Sequence, residues 1–292
     1  QFLPLDPFGG PGHSIGGLLA TGWSGPLRLR YGTARDYLVG LRVALPDGRL
    51  ARSGGRVVKN VSGYDLNKLH LGALGTLGVI VEASFKLFPT PLYEETVRRP
   101  AGRFEEAWSE AERALGLKMP PVALELVHED GGFNLAGRIA GSEDGVRRIL
   151  RELGWAKAPA SFWQEHARRT SDRWARLSVR RGSLAQLLRS LPAAARWIAQ
   201  PGVGVAHWFN FDSAAEVRAV RREAEATGGP RVLLADPPEP KRAAGALVPP
   251  PPAVDLRPGP RAPLHPTQPL PPATPPRRRP PATAHSPASR PP

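Results

Sequence analysis

Between residues 79 and 88 the apolar positions alternate, with Val79, Val81, Ala83, Phe85 and Leu87 on one side and Ile80, Glu82, Ser84, Lys86 and Phe88 on the other. A period of two predicts a strand, and Pro89 and Pro91 end it. Residues 38–45 and 49–52 read as two further strands about a Pro46-Asp47-Gly48 turn. Before the strand at 79, Asp65 suits an N-cap, residues 66–71 a helix of one to two turns, and Gly72 the left-handed position after its end. From Tyr93 onward the period changes. Phe104, Ala107, Trp108, Ala111 and Leu115 share one helical face, which Gly116 ends. Residues 122–127 and 133–140 read as a hairpin about Asp130-Gly131-Gly132, followed by a helix with Val146, Ile149, Leu150 and Leu153 inward. A similar unit recurs: a strand at 174–179, a helix capped by Ser183, strands at 196–200 and 203–209 around Pro201-Gly202, a helix at 214–226 and a strand at 231–234. The chain is therefore expected to be α+β.

Two glycine clusters interrupt these patterns and read as bends. The first is Ser14-Ile15-Gly16-Gly17-Leu18-Leu19-Ala20-Thr21-Gly22-Trp23-Ser24-Gly25, and seven glycines lie between Gly9 and Gly25, more than hairpin closure needs. The second, Gly72-Ala73-Leu74-Gly75-Thr76-Leu77-Gly78-Val79-Ile80, runs straight into the strand. A pyrophosphate is best held by several main-chain N–H groups, and a Cβ at such a place blocks the approach. No Gly-x-Gly-x-x-Gly lies between a strand and a helix with an acid about 20 residues on, so this is not the Rossmann fingerprint. In this order, with Gly54-Gly55, Lys59-Asn60-Val61 and Gly63-Tyr64-Asp65 between them, the clusters resemble the PCMH-type FAD-binding domain of the vanillyl-alcohol-oxidase-type flavoproteins. Within that group the resemblance is to the FAD-binding E subunits of bacterial glycolate oxidases. It is densest over residues 9–92 and continues weakly to about 235.

The resemblance implies an N-terminally truncated flavoprotein. Residues 1–92 would form the second half of the FAD-binding domain, 93–235 a ferredoxin-like α+β cap domain, and 236–292 a disordered Pro-rich tail. It implies FAD contacts at Ser14, Gly16, Gly17, Ala20, Thr21, Ser24 and Gly25 on the flavin and pyrophosphate side, and at Gly75, Thr76, Gly78 and Ile80 on the adenosine side. Gly22 and Ser24 depart from the Asn and Gly common in related dehydrogenases. The implied activity is support of glycolate (2-hydroxy-acid) oxidation to glyoxylate, beside a homologous catalytic flavoprotein subunit and an iron–sulfur subunit. The alternative is a non-catalytic assembly subunit that keeps the fold without flavin.

Composition sharpens this picture in three places. The tail from Asp236 holds 21 of the 35 prolines and no aromatic residue, so it cannot bury enough surface to offset ordering entropy. Its makeup matches translation of a GC-rich gene in a shifted frame better than it matches a polyproline ligand. Lys and Arg number 40 against 26 acids, but Arg and Ala abundance reflects the same coding bias, and no nucleic-acid signature accompanies the charge. A basic surface of this kind steers anionic substrates or an acidic partner. There is no cysteine, which excludes disulfides, thiolate catalysis and an iron–sulfur cluster ligated by this chain. No apolar run of about 18 residues or signal-peptide pattern is present, and the expectation is a cytoplasmic protein that reaches the inner face of the membrane only through partners.

Oxidising a 2-hydroxy acid needs a hydride acceptor, a base for the hydroxyl proton and a cation for the carboxylate. The seven histidines are dispersed, and none forms the metal and substrate cluster found late in D-lactate-type dehydrogenases. The catalytic residues are therefore unassigned. His207 could face the flavin from the cap or be a hydrogen-bonded core histidine. Trp23 and Tyr31 could flank the isoalloxazine or pack between turn and sheet. Lys59 and Arg35 could meet an anion or be solvated surface charges. Trp155, Phe162, Trp163 and Trp174 read most simply as cap core or a subunit contact.

Overall fold

The computed structural model describes residues 1–8, 12–55, 65–159, 161–168, 173–226, 231–235 and 247–248. Its first layer is a three-stranded antiparallel sheet in the order β2-β1-β3, made of β1 (Leu38–Ala44), β2 (Leu50–Gly54) and β3 (Val79–Phe85). On it lies α1 (Ile15–Thr21), followed by the short helices α2 (Arg28–Tyr31) and α3 (Ala34–Tyr37). Leu19, Tyr37, Leu41 and Val43 form the buried centre of this layer.

The regular alternation expected along β3 is broken. Arg42 pairs with Glu82 but Val43 pairs with Ile80, so Val81 is an extra residue, a β-bulge that switches the faces. Ile80, Ala83 and Phe85 pack inward, while Val79 and Val81 stay exposed. The helix before β3 is also shorter than expected, α4 being Asn67–His70. Asp65 is not its N-cap; that position is Leu66, and Asp65 instead pairs with Lys68 at 3.1 Å. Gly72 does take the left-handed conformation, with φ +72°.

The second layer is a nine-stranded antiparallel sheet in the order β12-β11-β8-β10-β9-β5-β6-β4-β7. Its first half runs β4 (Tyr93–Ala101), α5 (Phe104–Leu115), β5 (Ala123–Glu129), β6 (Gly132–Gly141), α6 (Glu143–Leu153) and β7 (Ala156–Lys157). Its second half, after α7 (Phe162–Ala167), runs β8 (Trp174–Ser178), α8 (Leu184–Arg189), β9 (Arg196–Gln200), β10 (Val205–Phe209), α9 (Ala214–Ala226) and β11 (Arg231–Ala235). Each half is a βαββαβ unit whose strands, numbered within the unit, lie in the order 4-1-3-2, the ferredoxin-like arrangement. The two second strands, β5 and β9, pair at the seam through Leu126↔Ala199 and Val127↔Ile198. Joining there leaves neither unit an inner edge strand.

Alternation explains what each face carries. Leu124, Leu126, Leu177, Ala206 and Trp208 point toward the helices and form the main core with Ala107, Ala111, Val146, Ile149 and Leu187. The opposite face meets the N-terminal segment: Leu27 packs with Ala123, Ala136 and Trp163, and Phe8 packs with Val127, Ile198 and Phe209. Ser183 stands at the start of α8, as expected, but makes no capping hydrogen bond. Within the segment expected to be a disordered tail, Leu247–Val248 forms a two-residue strand, β12, on β11. The rest of 236–292 lies outside the described residues.

Candidate functional site

The first glycine cluster is a helix and not a bend. Ser14 is the N-cap of α1, its Oγ accepting from the Gly17 N–H at 3.0 Å, and Gly22 ends the helix at φ +67°. This is an ordinary cap pair that the glycine content concealed. Thr21 turns its hydroxyl back onto the Gly17 and Leu18 carbonyls at 2.9 and 3.1 Å. The last carbonyls of the helix do not end in solvent: Leu19 O accepts from Gly72 N at 3.0 Å, and Ala20 O accepts from Leu74 N at 2.7 Å. The two clusters are thus one hydrogen-bonded unit.

Within that unit the eleven sequence-identified positions divide into two kinds. At Gly16 a Cβ would stand 3.0 Å from the Ile80 carbonyl oxygen, so the missing side chain lets α1 lie on β3. At Gly25 it would fall 1.7 Å from the Asp6 carbonyl oxygen, and at Gly78 2.6 Å from Val43. These three glycines, read from sequence as making room for a ligand, make room for the chain itself. Gly75 differs, because it has φ +71° and nothing within 4 Å of where a Cβ would stand. Gly17 and Gly75 are exposed, Ala20 is partly so, and Ile80 is half-buried under Gly16. Thr76 donates its hydroxyl to Ala73 O at 2.7 Å, which closes the turn around Gly75. Ser24 is buried, and its Oγ has no partner among the described residues.

The remaining sequence candidates are dispersed. Trp23 packs on Trp174 of β8, ring centroids 4.9 Å apart, and so joins the first layer to the second. Tyr31 stands edge-on to Phe2 and Phe88, at 5.4 and 5.1 Å. Both take the packing role. Arg35 is exposed on α3, and Lys59 lies outside the described residues. Trp155 and Trp163 are buried in the second layer.

His207 is buried, on the face of β10 that meets the N-terminal segment. Burial, and then its neighbours Arg176, His166 and Arg28, push its imidazole down to about 3, so it is neutral across the physiological range. Around it lies a polar group that sequence reading missed. Fully buried Glu125 accepts from Gln200 Nε2 at 2.8 Å and is in short contact with His166 Nε2. Asp6 accepts from Leu27 N at 2.8 Å, and burial raises its carboxyl to about 7. His166 and Glu125 are 41 residues apart, and no local pattern links them. Among the described residues no group of three or more His, Cys, Asp or Glu could hold a metal ion, and no helix is long and apolar enough to cross a membrane.

The helix-and-turn unit leaves open main chain at Gly75 and a buried hydroxyl at Ser24 with no partner among the described residues. The FAD binding domain family matches residues 1–54. Over 235 residues the chain is 32% identical to glycolate oxidase subunit GlcE of Escherichia coli, covering 78% of this chain and 64% of that protein. It is 36% identical over 128 residues to glycolate oxidase subunit GlcD of Bacillus subtilis, covering 44% of this chain and 27% of that protein. The chain therefore spans less than two thirds of the length of either relative. Among solved structures, an alkyldihydroxyacetonephosphate synthase matches with a TM-score of 0.54 at 18% identity, over 74% of this chain and 53% of that one. That likeness concerns the α+β fold alone.

Proposed function

We propose that this chain is the FAD-binding subunit of a glycolate (2-hydroxy-acid) oxidase complex, located in the cytoplasm. The observation that carries this reading is the pair of hydrogen bonds from Gly72 N and Leu74 N to the end of α1, which holds the FAD-binding segment and the Gly75 turn together. The 32% identity to a glycolate oxidase subunit supplies the substrate class. FAD would lie against the exposed Gly17 and the Ala20 end of α1 and be held by the open main chain at Gly75, the Thr76 turn and the Ser24 hydroxyl. Ser14, Gly16, Thr21, Gly25, Gly78 and Ile80 would shape that surface from beneath. When bound, FAD supplies a two-electron acceptor for the hydride of a 2-hydroxy acid. The chain has no cysteine, so electrons would pass to a partner with iron–sulfur clusters, beside a homologous catalytic flavoprotein subunit. In this reading residues 1–92 are the cofactor unit and 93–235 the cap.

A second reading is favoured by Gly16, Gly25 and Gly78, each closed by the protein's own atoms: an assembly subunit that keeps the fold and binds no flavin. Purifying the full chain, adding FAD, removing the excess and recording the visible spectrum separates the two. Retained flavin absorbance that Gly75→Val abolishes supports the cofactor role. A colourless protein with a folded circular dichroism spectrum refutes it.

A further inference from the structure

The turn with the open main chain breaks a rule of its own geometry. Thr76 N donates to Ala73 O at 3.0 Å, which closes a four-residue turn with Leu74 and Gly75 at its centre. Both central residues have positive φ, +55° at Leu74 and +71° at Gly75. Positive φ at both is the mark of a type I′ turn, where Asn, Asp or Gly is preferred at the first centre and Gly at the second. Gly75 obeys that preference. Leu74 does not: its Cβ is pressed toward the following carbonyl oxygen, and the side chain carries no polar atom that could bond back to the backbone in compensation.

Packing does not account for the choice either. The Leu74 side chain is half exposed and belongs to none of the buried clusters, whereas Leu71 and Ile80, on either side of the turn, pack against the core of the first layer. What holds the strained residue is its main chain, through the Leu74 N–H donated to Ala20 O at 2.7 Å. That bond sets Leu74 against the end of α1, where exposed Gly17 and partly exposed Ala20 lie one turn apart and leave the surface low. A residue that breaks a local rule with no return from packing points to a site of use. An aliphatic side chain offers nothing to a phosphate. Its complement is a flat ring, whose face is apolar and whose polar edge can stay in water.

We propose that Leu74 is a specificity residue of the flavin site, its exposed side chain seating the face of a planar heteroaromatic ring of the dinucleotide. This rests on the FAD-binding reading and adds a residue outside the eleven already named. The left-handed strain is tolerated because the Asn or Gly that the turn prefers would supply no apolar surface. FAD carries two such rings, adenine and isoalloxazine, and the same chemistry serves either; ADP and FMN, each bearing one of them, tell them apart.

In the full chain, Leu74→Asn installs a residue the turn prefers and should raise the urea midpoint of the flavin-free protein, while weakening FAD about tenfold in equilibrium dialysis. Leu74→Gly should weaken FAD likewise, and Leu74→Met, which keeps a long apolar side chain, should hold native affinity within about threefold. Of ADP and FMN, only the one whose ring Leu74 seats should lose affinity in Leu74→Asn. Native FAD affinity in both Leu74→Asn and Leu74→Gly, equal losses for ADP and FMN, or a loss in Leu74→Met as large as in Leu74→Gly would overturn the assignment. So would a chain that self-associates in sedimentation and becomes monomeric in Leu74→Asn, which would make the side chain a subunit contact. A native chain that binds none of FAD, ADP and FMN defeats the flavin reading and this inference with it; one that binds FAD as well in the Leu74 variants defeats this inference alone.

Discussion

Gly25 and Gly75 are the same residue type answering opposite demands. Gly25 must lack a Cβ because the Asp6 main chain occupies the place of one, and main chain cannot rotate aside. Gly25→Ala is therefore expected to cost at least about 3 kcal/mol in urea unfolding, or to prevent folding. Gly75→Ala meets only the left-handed backbone penalty of about 1–2 kcal/mol, because the space beside it is open. It should fold and still show weakened FAD retention. Asp6 and His207 impose pH dependences of opposite sign. The Asp6 carboxyl is raised to about 7, so its contribution is full below about pH 4 and is lost as pH rises through 7. His207 is lowered to about 3, so its contribution is full above about pH 6.5 and is lost as pH falls toward 3. In urea midpoints measured across pH, Asp6→Asn should flatten the decline between pH about 4 and 7, and His207→Gln the decline below about 6.5.

At the scale of elements some local signals are legible and others mislead: the Ser14 cap is hidden by Gly16 and Gly17, and Asp65 is not the cap that its type suggests. Gly116 after α5, the Asp130-Gly131 turn between β5 and β6, and the inward set Val146, Ile149 and Leu153 of α6 all follow from residues within a few positions of one another. The α1 segment reads as a bend because Gly16 and Gly17 are poor helix formers, with an intrinsic cost near 1 kcal/mol each. Packing on β3 overrides that cost, since only glycine at 16 allows the approach to Ile80. The bulge at Val81 was equally invisible, because one extra residue is defined only against the partner strand. Ser14→Ala and Ser142→Ala each remove an N-cap hydroxyl that accepts a backbone N–H, and each should cost about 1 kcal/mol in chemical unfolding. Only Ser14→Ala should also lower FAD retention, because α1 carries the carbonyls that hold the Gly75 turn.

For the molecule as a whole, the joint between the layers rests on a few aromatic and apolar contacts. Trp23 on Trp174, Leu27 on Ala123 and Phe8 on Ile198 fasten the N-terminal segment to one face of the nine-stranded sheet. Trp23→Ala should cost about 2 kcal/mol for a half-buried ring, and should separate the single urea transition, followed by tryptophan fluorescence and circular dichroism, into two. The alternation of strands, the recurrence of a βαββαβ pattern, the absence of thiols and the two glycine clusters could all be read from the chain, because each depends on neighbours a few residues apart or on composition. Their assembly could not. The seam between β5 and β9, the hydrogen bonds that join Leu19 and Ala20 to the Gly75 turn, and the meeting of Asp6, Glu125, His166 and His207 under Phe8 link positions tens to hundreds of residues apart. Such contacts leave no periodicity behind, since burial of two distant polar groups against each other is decided by which faces the sheets cover, and that is fixed only when the layers pack.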